Sequence, residues 1–198
     1  MSDSVAMSGE RRTEARILAV ASRLFYERGY KATTMRALAK GVGIEASSLY
    51  HHFSDKQAIL VRICLDGMQG FYQGALERIE GVDDVRERLR ALIVWQVVSE
   101  TRYPYAGRIA DEQMHALNPK SRKQLIALRD DFEALIDDLL GEGQAQGIWH
   151  LSHPRVIRLG LIGMCKVEHW YDKKGALTAE QIGEVYATFI LQALAYSR

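Results

Sequence analysis

The residues best suited to chemistry lie in one short stretch, where hydroxyl, aromatic and basic side chains follow one another between positions 33 and 56. Small and hydroxyl-bearing side chains let a helix approach base edges closely, and aromatic rings contact thymine methyl groups. Basic side chains and the free N–H groups of a helix N-terminus hold phosphates. Together these types indicate nucleic-acid binding. The candidate contact residues are Thr33, Thr34, Arg36, Ala46, Ser47, Tyr50, His51 and Lys56.

The elements that must position these residues are two short helices joined by a glycine turn. The pattern predicts the first over residues 34–41 and the second over residues 45–53. Because a pair this short cannot bury its own core, it needs Leu24 and Phe25 from a preceding helix and Leu60 from a following one. Two such helices resting on a preceding helix indicate a helix-turn-helix.

Some of these positions have a plainer alternative. Tyr50 could be a packing aromatic, and His51 and His52 could both be solvated surface residues. We expect His51 to contact DNA and His52 to face solvent. Leu49 and Phe53 belong to the core under either interpretation.

Two sequence strings in this region resemble one family in a fixed register. The first, Ala-x-x-Leu-Phe-x-x-x-Gly-Tyr-x-x-Thr-Thr-x-x-x-Leu-Ala, runs from Ala21 to Ala39, and the second runs from Gly43 to Lys56 with Ser-Leu-Tyr-His-His-Phe-x-x-Lys at its end. They are similar to the start and the recognition helix of the TetR family of tetracycline-repressor-like regulators. The resemblance implies a homodimer whose recognition helices enter successive major grooves, and an effector in the C-terminal domain that drives release. It also implies that DNA faces Thr34, Arg36, Ser47, Tyr50, His51 and Lys56.

Glu45 departs from the pattern of that family, which often has Ser or Thr at this position. A carboxylate at a helix N-terminus interacts favourably with the helix dipole. It would also repel a nearby phosphate. Glu45 is therefore the one residue of the predicted reading head whose charge opposes DNA.

Periodicity along the whole chain is helical. There are only three prolines, each where a helix should begin or end, and apolar residues do not alternate with polar ones at period two for long. We expect an all-α fold of about nine helices, with an N-terminal three-helix domain that contains the helix-turn-helix and a larger helical domain. The expected divisions are a disordered tail over residues 1–11, the DNA-binding domain over 12–57, and an effector-binding and dimerisation domain over 58–198.

The larger predicted domain contains side chains that could line a ligand cavity, because they combine apolar surface with a few polar groups. Ordinary core packing is the alternative for any one of them. The candidates are Trp95, Gln96, Ser99, Tyr103, Met114, Phe132, Met164, His169 and Trp170.

A second, local resemblance concerns the segment His-Trp-Tyr-x-x-x-Gly-x-Leu-Thr-x-Glu-x-Ile over residues 169–182. It is similar to a stretch in TetR-type regulators of lipid, acyl-chain and steroid catabolism, several of which sense acyl-coenzyme A thioesters. This implies a buried acyl chain and basic residues that meet phosphates, with Arg108, Arg129 and Lys166 as candidates. A fatty acyl thioester, a plant- or sterol-derived aromatic thioester and a small lipophilic drug would all suit an apolar cavity.

The last two predicted helices carry broad apolar stripes, and Gly160 and Gly163 permit close helix approach. The family pairs these helices across a two-fold axis into a four-helix bundle. Tyr186, Phe189 and Leu194 are then the candidates for the dimer interface. An entirely intramolecular core is the alternative.

Charge and composition are consistent with a DNA-binding head. Residues 1–65 contain ten Lys and Arg against six Asp and Glu, a net charge of +4, whereas the remaining residues carry a net −3 for a total of +1. The two cysteines suit small core positions rather than a disulfide or metal site, and no cofactor is expected. The sequence has no signal-peptide pattern and no apolar run long enough for a membrane span, so we expect a cytoplasmic protein without a membrane partner.

No P-loop, G-x-S-x-G or H-E-x-x-H pattern is present, so we expect no enzyme. The expected function is a dimeric repressor that binds a pseudo-palindromic operator in double-stranded DNA and is released by a small apolar effector, for which an acyl-coenzyme A thioester is a candidate. An activator of the same fold is one alternative. An enzyme acting on acyl thioesters is another, for which Glu112 and His115, three apart on a predicted helix, are the residues to consider.

Overall fold

The computed structural model describes residues 2–102, 105–167, 170–171 and 174–195, with side chains described from Gly9 onward. The described residues form nine α-helices and one short 3₁₀ turn and contain no strand, which confirms the predicted all-α fold. The helices are α1 (Ser2–Arg28), α2 (Met35–Val42), α3 (Ala46–His52), α4 (Lys56–Ile79), α5 (Val85–Arg102), α6 (Ala106–Glu112), α7 (Pro119–Ala145), α8 (Pro154–Met164) and α9 (Ala179–Ala195), with the 3₁₀ turn Met114–Ala116 between α6 and α7.

The chain divides into two compact units. The first, called here the head unit, comprises residues 1–67 and 105–125, and the second, the body unit, comprises residues 68–104 and 126–198. The head unit is larger than the DNA-binding domain predicted over 12–57, because α6, the 3₁₀ turn and the start of α7 belong to it.

The core of the head unit is built as the sequence pattern predicts. Leu24 and Phe25 of α1 and Leu60 of α4 are all buried, together with Leu38 of α2 and Leu49 of α3. Helix α2 has eight residues and α3 has seven, and Val20 and Leu24 of α1 lie close to Gly41 of α2. The residues expected to form this core are therefore buried, and α1 packs against α2.

The first helix begins earlier than expected. The sequence pattern placed its start near Arg12 and assigned residues 1–11 to a disordered tail, whereas α1 is helical from Ser2. An apolar stripe locates only the part of a helix that packs against a core, and the described residues before Thr13 are exposed. The polar first turns of α1 therefore gave no signal in the pattern.

The body unit is organised around α5. Leu89, Leu92, Ile93 and Val97 of this helix are buried against apolar residues of α7, α8 and α9. The approach between α5 and α9 is close, because a Cβ added to Gly183 would lie 2.9 Å from the Cα of Val94. Helix α5 is consequently enclosed on several sides, and its side chains face the interior of this unit.

Glycines near the end of α7 do not stop the helix. Helix α7 continues through the glycine-rich stretch to Ala145, where a Cβ at Gly143 would overlap the indole ring of Trp149. The glycine thus makes room for a ring.

Candidate nucleic-acid interface and effector site

The turn between α2 and α3 gives the two helices their relative orientation. Gly43 adopts a left-handed conformation with φ +77°, and its N–H donates to the carbonyls of Ala39 and Lys40. The next N–H, that of Ile44, also donates to Ala39. A left-handed residue that caps the last carbonyls is a common end for a helix, and glycine adopts it without a steric penalty. Helix α3 therefore starts in a defined direction.

The outer face of α3 presents the predicted reading residues. Ser47, Tyr50 and His51 are exposed and lie three and four positions apart, which places them on one face of the helix. The Tyr50 side chain is 54% exposed, so its alternative role as a packing aromatic is not what the structure shows. Ala46 is half-buried at the start of the helix. Leu49 points to the core from the opposite face.

The start of α2 forms a second exposed feature. Thr34 is the N-cap residue, and its hydroxyl oxygen accepts a hydrogen bond from the N–H of Ala37 at 3.1 Å. Arg36, in the first turn, is exposed. The first N–H groups of a helix lack partners within it and carry the positive end of its dipole, so this end suits a phosphate.

Thr33 has a structural position that the sequence pattern did not reveal. Its side chain is 1% exposed, and its hydroxyl group donates to the carbonyls of Gly29 at 2.9 Å and Leu24 at 3.3 Å. The hydroxyl group thus joins the end of α1 to the segment that connects α1 with α2. Thr33 supports the head from inside and presents no surface to DNA.

Lys56 is engaged in the same connection. Its ammonium group donates to the carbonyls of Tyr30 at 2.6 Å, Thr33 at 2.8 Å and Lys31 at 3.3 Å, and lies 4.3 Å from the centroid of the Tyr30 ring. An ammonium group has three N–H donors, so these bonds use all of them. Burial lowers the pKa of Lys56. The predicted phosphate contact is replaced in this structure by a bridge from α4 to the α1–α2 connection.

Glu45 occupies the N-cap position of α3, as the sequence suggested. Its backbone is extended and its side chain makes no capping hydrogen bond. The side chain is exposed. Its charge therefore acts on α3 through the helix dipole alone, at the same end as Ser47.

Helix α6 and the 3₁₀ turn pack on the head through polar and aromatic contacts. The rings of Tyr26 and Tyr105 lie 4.8 Å apart between centroids, and Arg108 donates to the Tyr26 hydroxyl at 3.2 Å. The amide of Gln57 donates to the carbonyl of Ala116 at 2.9 Å. Sequence reasoning missed these contacts because residues 26 and 105 are distant along the chain and neither has a motif.

The effector-site candidates are distributed among different places. Trp95, Gln96, Ser99 and Phe132 are buried in the body unit, whereas Met114 belongs to the head unit. Met164 and Trp170 are exposed apolar residues of the body unit. Tyr103 and His169 lie outside the described residues.

Two of the buried candidates meet through a third aromatic ring. Phe71 of α4 lies 6.3 Å from Trp95 and 4.5 Å from Phe132 between ring centroids, and its carbonyl accepts the Trp95 indole N–H at 2.9 Å. On its other side Trp95 lines a groove of about 350 Å³. The groove is bounded by charged residues of α4, α5 and α9, including Arg78, whose guanidinium group lies 3.7 Å from the Trp95 ring centroid.

The basic residues proposed for a thioester phosphate have different surroundings. Arg108 belongs to the head unit and pairs with Glu112 at 2.6 Å. Arg129 is half-buried on α7, and Lys166 is exposed just after α8. The alternative pair for catalysis, Glu112 and His115, is exposed. Among the described residues, no group of three or more His, Cys, Asp or Glu side chains is arranged to hold a metal ion.

Helices α8 and α9 expose large apolar side chains. Val156 and Leu159 on α8 and Val185 and Phe189 on α9 are each more than half exposed. Tyr186 is half-buried, whereas Leu194 is 3% exposed and packs in the core of its own chain. Leu194 therefore offers no surface to a partner. Val185, which was not among the predicted interface residues, is 57% exposed and does offer a surface.

None of the helices in the described parts of the chain is long and apolar enough to cross a membrane.

The head unit presents an exposed reading helix held by a second short helix and a glycine turn, which defines a helix-turn-helix DNA-binding protein.

Comparison with known proteins agrees with that class. Residues 17–63 match the model of the TetR family of bacterial regulatory proteins, and residues 82–194 match a tetracycline-repressor-like C-terminal domain. The chain belongs to the TetR family of transcriptional regulators.

Individual relatives cover nearly the whole chain. It is 28% identical over 217 aligned residues to the HTH-type transcriptional repressor KstR2 of Mycolicibacterium smegmatis, covering 99% of this chain and 96% of that protein. Among solved structures it resembles the TetR-family regulator PfmR of Thermus thermophilus, with 29% identity, a TM-score of 0.82 and coverage of 92% and 100%. It also resembles AibR in complex with isovaleryl coenzyme A and operator DNA, with 26% identity, a TM-score of 0.76 and coverage of 94% and 100%.

The bridge made by Lys56 leads to a stability prediction. Lys56→Met removes the ammonium group and leaves three carbonyls of the α1–α2 connection without their donor. We expect the free energy of unfolding to fall by about 1–3 kcal/mol, because lost hydrogen bonds to a charged donor are of this size. Urea unfolding at fixed protein concentration measures the change.

Lys40 of α2 is the matched control, because it is an exposed lysine of the same unit. Lys40→Met should change the free energy of unfolding by no more than about 0.5 kcal/mol. Equal effects of the two substitutions would show that the Lys56 bridge does not stabilise the head.

Proposed function

We propose that this protein is a ligand-responsive transcriptional repressor that binds a pseudo-palindromic operator as a homodimer and is released by a small apolar effector. The observation that carries the proposal is the exposed face of α3 with Ser47, Tyr50 and His51, supported by a buried core beneath it. The name of the relative KstR2 as a repressor supports the direction of regulation. An activator of the same fold is the alternative, and expression of neighbouring genes in a deletion strain distinguishes the two.

The proposed DNA contacts follow from which side chains of α2 and α3 are exposed. Ser47, Tyr50 and His51 read base edges in the major groove, and Ala46 allows α3 to approach closely. Thr34 and Arg36 at the start of α2 hold a phosphate. Thr33 and Lys56 act as positioning residues that keep α1, α2 and α4 together. The head is thereby presented to DNA as a rigid body.

The homodimer forms through α8 and α9. Val156, Leu159, Val185 and Phe189 each leave more than half of a large apolar side chain in water, and exposed apolar surface on this scale favours an interaction site. The Tyr186 ring lies 6.5 Å from the ring of Trp170 between centroids. A second copy of the same surface would cover it across a two-fold axis, and two heads would then reach two half-sites.

The effector belongs to the class of acyl-coenzyme A thioesters. Support comes from the AibR complex with isovaleryl coenzyme A and from the aromatic cluster of Phe71, Trp95 and Phe132 in the body unit, which suits an acyl chain. Lys166 and Arg129 are the basic residues of the same unit that could meet phosphates. The effector must bind the form that does not bind DNA more tightly, since otherwise it cannot shift the equilibrium.

Tyr50→Ala tests the reading face. We expect the dissociation constant for a duplex from the region upstream of the gene to rise about tenfold, because a lost base contact costs about 1–3 kcal/mol. The mobility shift of that duplex measures it, and an unrelated duplex of equal length gives the non-specific affinity. Gln73→Ala, an exposed change on α4 in the body unit, is the control. Undiminished operator binding by Tyr50→Ala would contradict the assignment of α3.

Phe189→Glu tests the dimer. A charge at this apolar position would be desolvated without a partner in the proposed interface, so we expect monomers by light scattering and loss of operator binding. Ile126→Glu on α7, also an exposed apolar position, should leave the dimer intact. A Phe189→Glu protein that remains dimeric would place the interface elsewhere.

A ligand panel tests the effector class. We expect acyl-coenzyme A species to raise the melting temperature and to abolish the mobility shift, whereas coenzyme A alone and the free acids do neither. A lipophilic cationic drug is the comparison for the alternative class. Stabilisation by the drug and by no thioester would overturn the acyl-thioester proposal and leave DNA binding in place.

A further inference from the structure

Helix α5 carries an unusual group of side chains for an enclosed helix. In the described part of the body unit, the uncharged polar residues that are buried are Gln96, Ser99 and Thr101, and all three lie on α5. Buried polar side chains are retained where they have hydrogen-bond partners or a function. The partners of these three side chains therefore decide which of them is structural.

Two of the three are satisfied within their own helix. The hydroxyl group of Ser99 donates to the carbonyl of Gln96 at 2.9 Å, and the hydroxyl group of Thr101 donates to the carbonyl of Val98 at 2.9 Å. Such bonds to a preceding turn are common for Ser and Thr in helices. Ser99 and Thr101 therefore need no ligand.

Gln96 differs from both. Its Nε2 donates to the carbonyl of Ile162 at 3.3 Å, in the last turn of α8, where helix carbonyls lack partners within the helix. That bond determines the orientation of the amide, because the reverse orientation would place Oε1 against the carbonyl oxygen of Ile162, and both atoms are acceptors. The other atom, Oε1, is buried and has no hydrogen-bond partner within the described residues, although Gln96 is only 3% exposed.

The other unpartnered buried side-chain atoms of the described structure have a different explanation. They belong to Arg88, Asp137 and Arg158, which all take part in ion pairs. Each of these groups is compensated through its remaining atoms. Gln96 has a neutral amide, so no ion pair compensates its unpartnered Oε1. This acceptor is therefore the one that a hydrogen-bond donor on a ligand would satisfy.

The burial of Gln96 favours a neutral donor. Its side chain is only 3% exposed, and Cys165, just after the end of α8, is fully buried. Moving a charged ligand group out of water into such a place is costly unless the charge is paired.

We propose that Gln96 determines effector specificity by accepting, at Oε1, a hydrogen bond from a neutral donor on the buried part of the effector. The inference rests on the proposed effector-responsive function and adds the chemistry that the site selects. A hydroxyl group on the acyl chain and an amide N–H of the pantetheine arm are the two sources of such a donor in an acyl-coenzyme A thioester. A carboxylate or ketone oxygen at the same place would face another acceptor and is disfavoured.

Two matched probe pairs distinguish the sources. The first pair is 3-hydroxyoctanoyl-coenzyme A and octanoyl-coenzyme A, which differ in one hydroxyl group. The second is S-octanoyl-N-acetylcysteamine and S-ethyl thiooctanoate, of which only the former has an amide N–H. Calorimetry on the full-length protein should show a preference of about tenfold for the donor-bearing member of one pair.

The variants test whether Gln96 is the acceptor. Gln96→Met keeps the length of the side chain and removes both polar atoms, so the preference should disappear. Thr101→Val is the matched control, because it removes a buried polar group of the same helix that has its own partner, and it should keep the preference. Gln96→Glu should also keep it, since a buried protonated carboxyl group donates to Ile162 through its O–H and still presents an acceptor oxygen.

Three results would overturn the proposal. One is a donor preference in Gln96→Met equal to that of the unsubstituted protein, which would mean that Oε1 is satisfied by a buried water molecule. The second is equal affinity of the unsubstituted protein for both members of each pair. The third is no binding of any of the four probes. The mobility shift of operator DNA with the same preparations separates these results from a failure of the repressor function, because DNA binding does not require the probes.

Discussion

Two helices of eight and seven residues cannot exclude water from their own apolar side chains, and this constraint shapes the head unit. The buried surface comes from Leu24 and Phe25 of α1 and from Leu60 of α4. The ammonium group of Lys56 adds polar bonds from α4 to the carbonyls that end the α1–α2 connection. Buried side chains and the Lys56 bridge therefore hold the head together, while the outer face of α3 remains exposed.

The body unit is built around one enclosed helix, α5. The apolar side chains of α5 fill the core, while its three buried polar side chains are confined to the part of the helix between Gln96 and Thr101. One of them, Gln96, reaches the last turn of α8, a helix that also carries exposed apolar residues. A group bound at Gln96 would thus act on α5 and α8 together.

Much of the fold and of the candidate interface could be predicted from the sequence, and the predictions that were wrong share a cause. The helical periods predicted about nine helices, the number found in the described residues, and the motif over residues 21–56 located the helix-turn-helix because its residues are close along the chain. The motif predicted DNA contacts for Lys56 and Thr33, because a motif gives residue types and does not show which groups their side chains bond. Leu194 was assigned to the dimer interface although it is buried in its own chain, because a broad apolar stripe does not show which edge of it is covered.

The sequence by itself determined the helical class, the position of the helix-turn-helix and the residues on the outer face of α3, since these depend on local spacing. Only the tertiary structure decided that α6 packs on the head, that Lys56 faces carbonyls and that Gln96 Oε1 lacks a partner among the described residues. These facts depend on contacts between residues 23 to 82 positions apart. Distant residues meet through the packing of whole helices, and a linear pattern contains no measure of that packing.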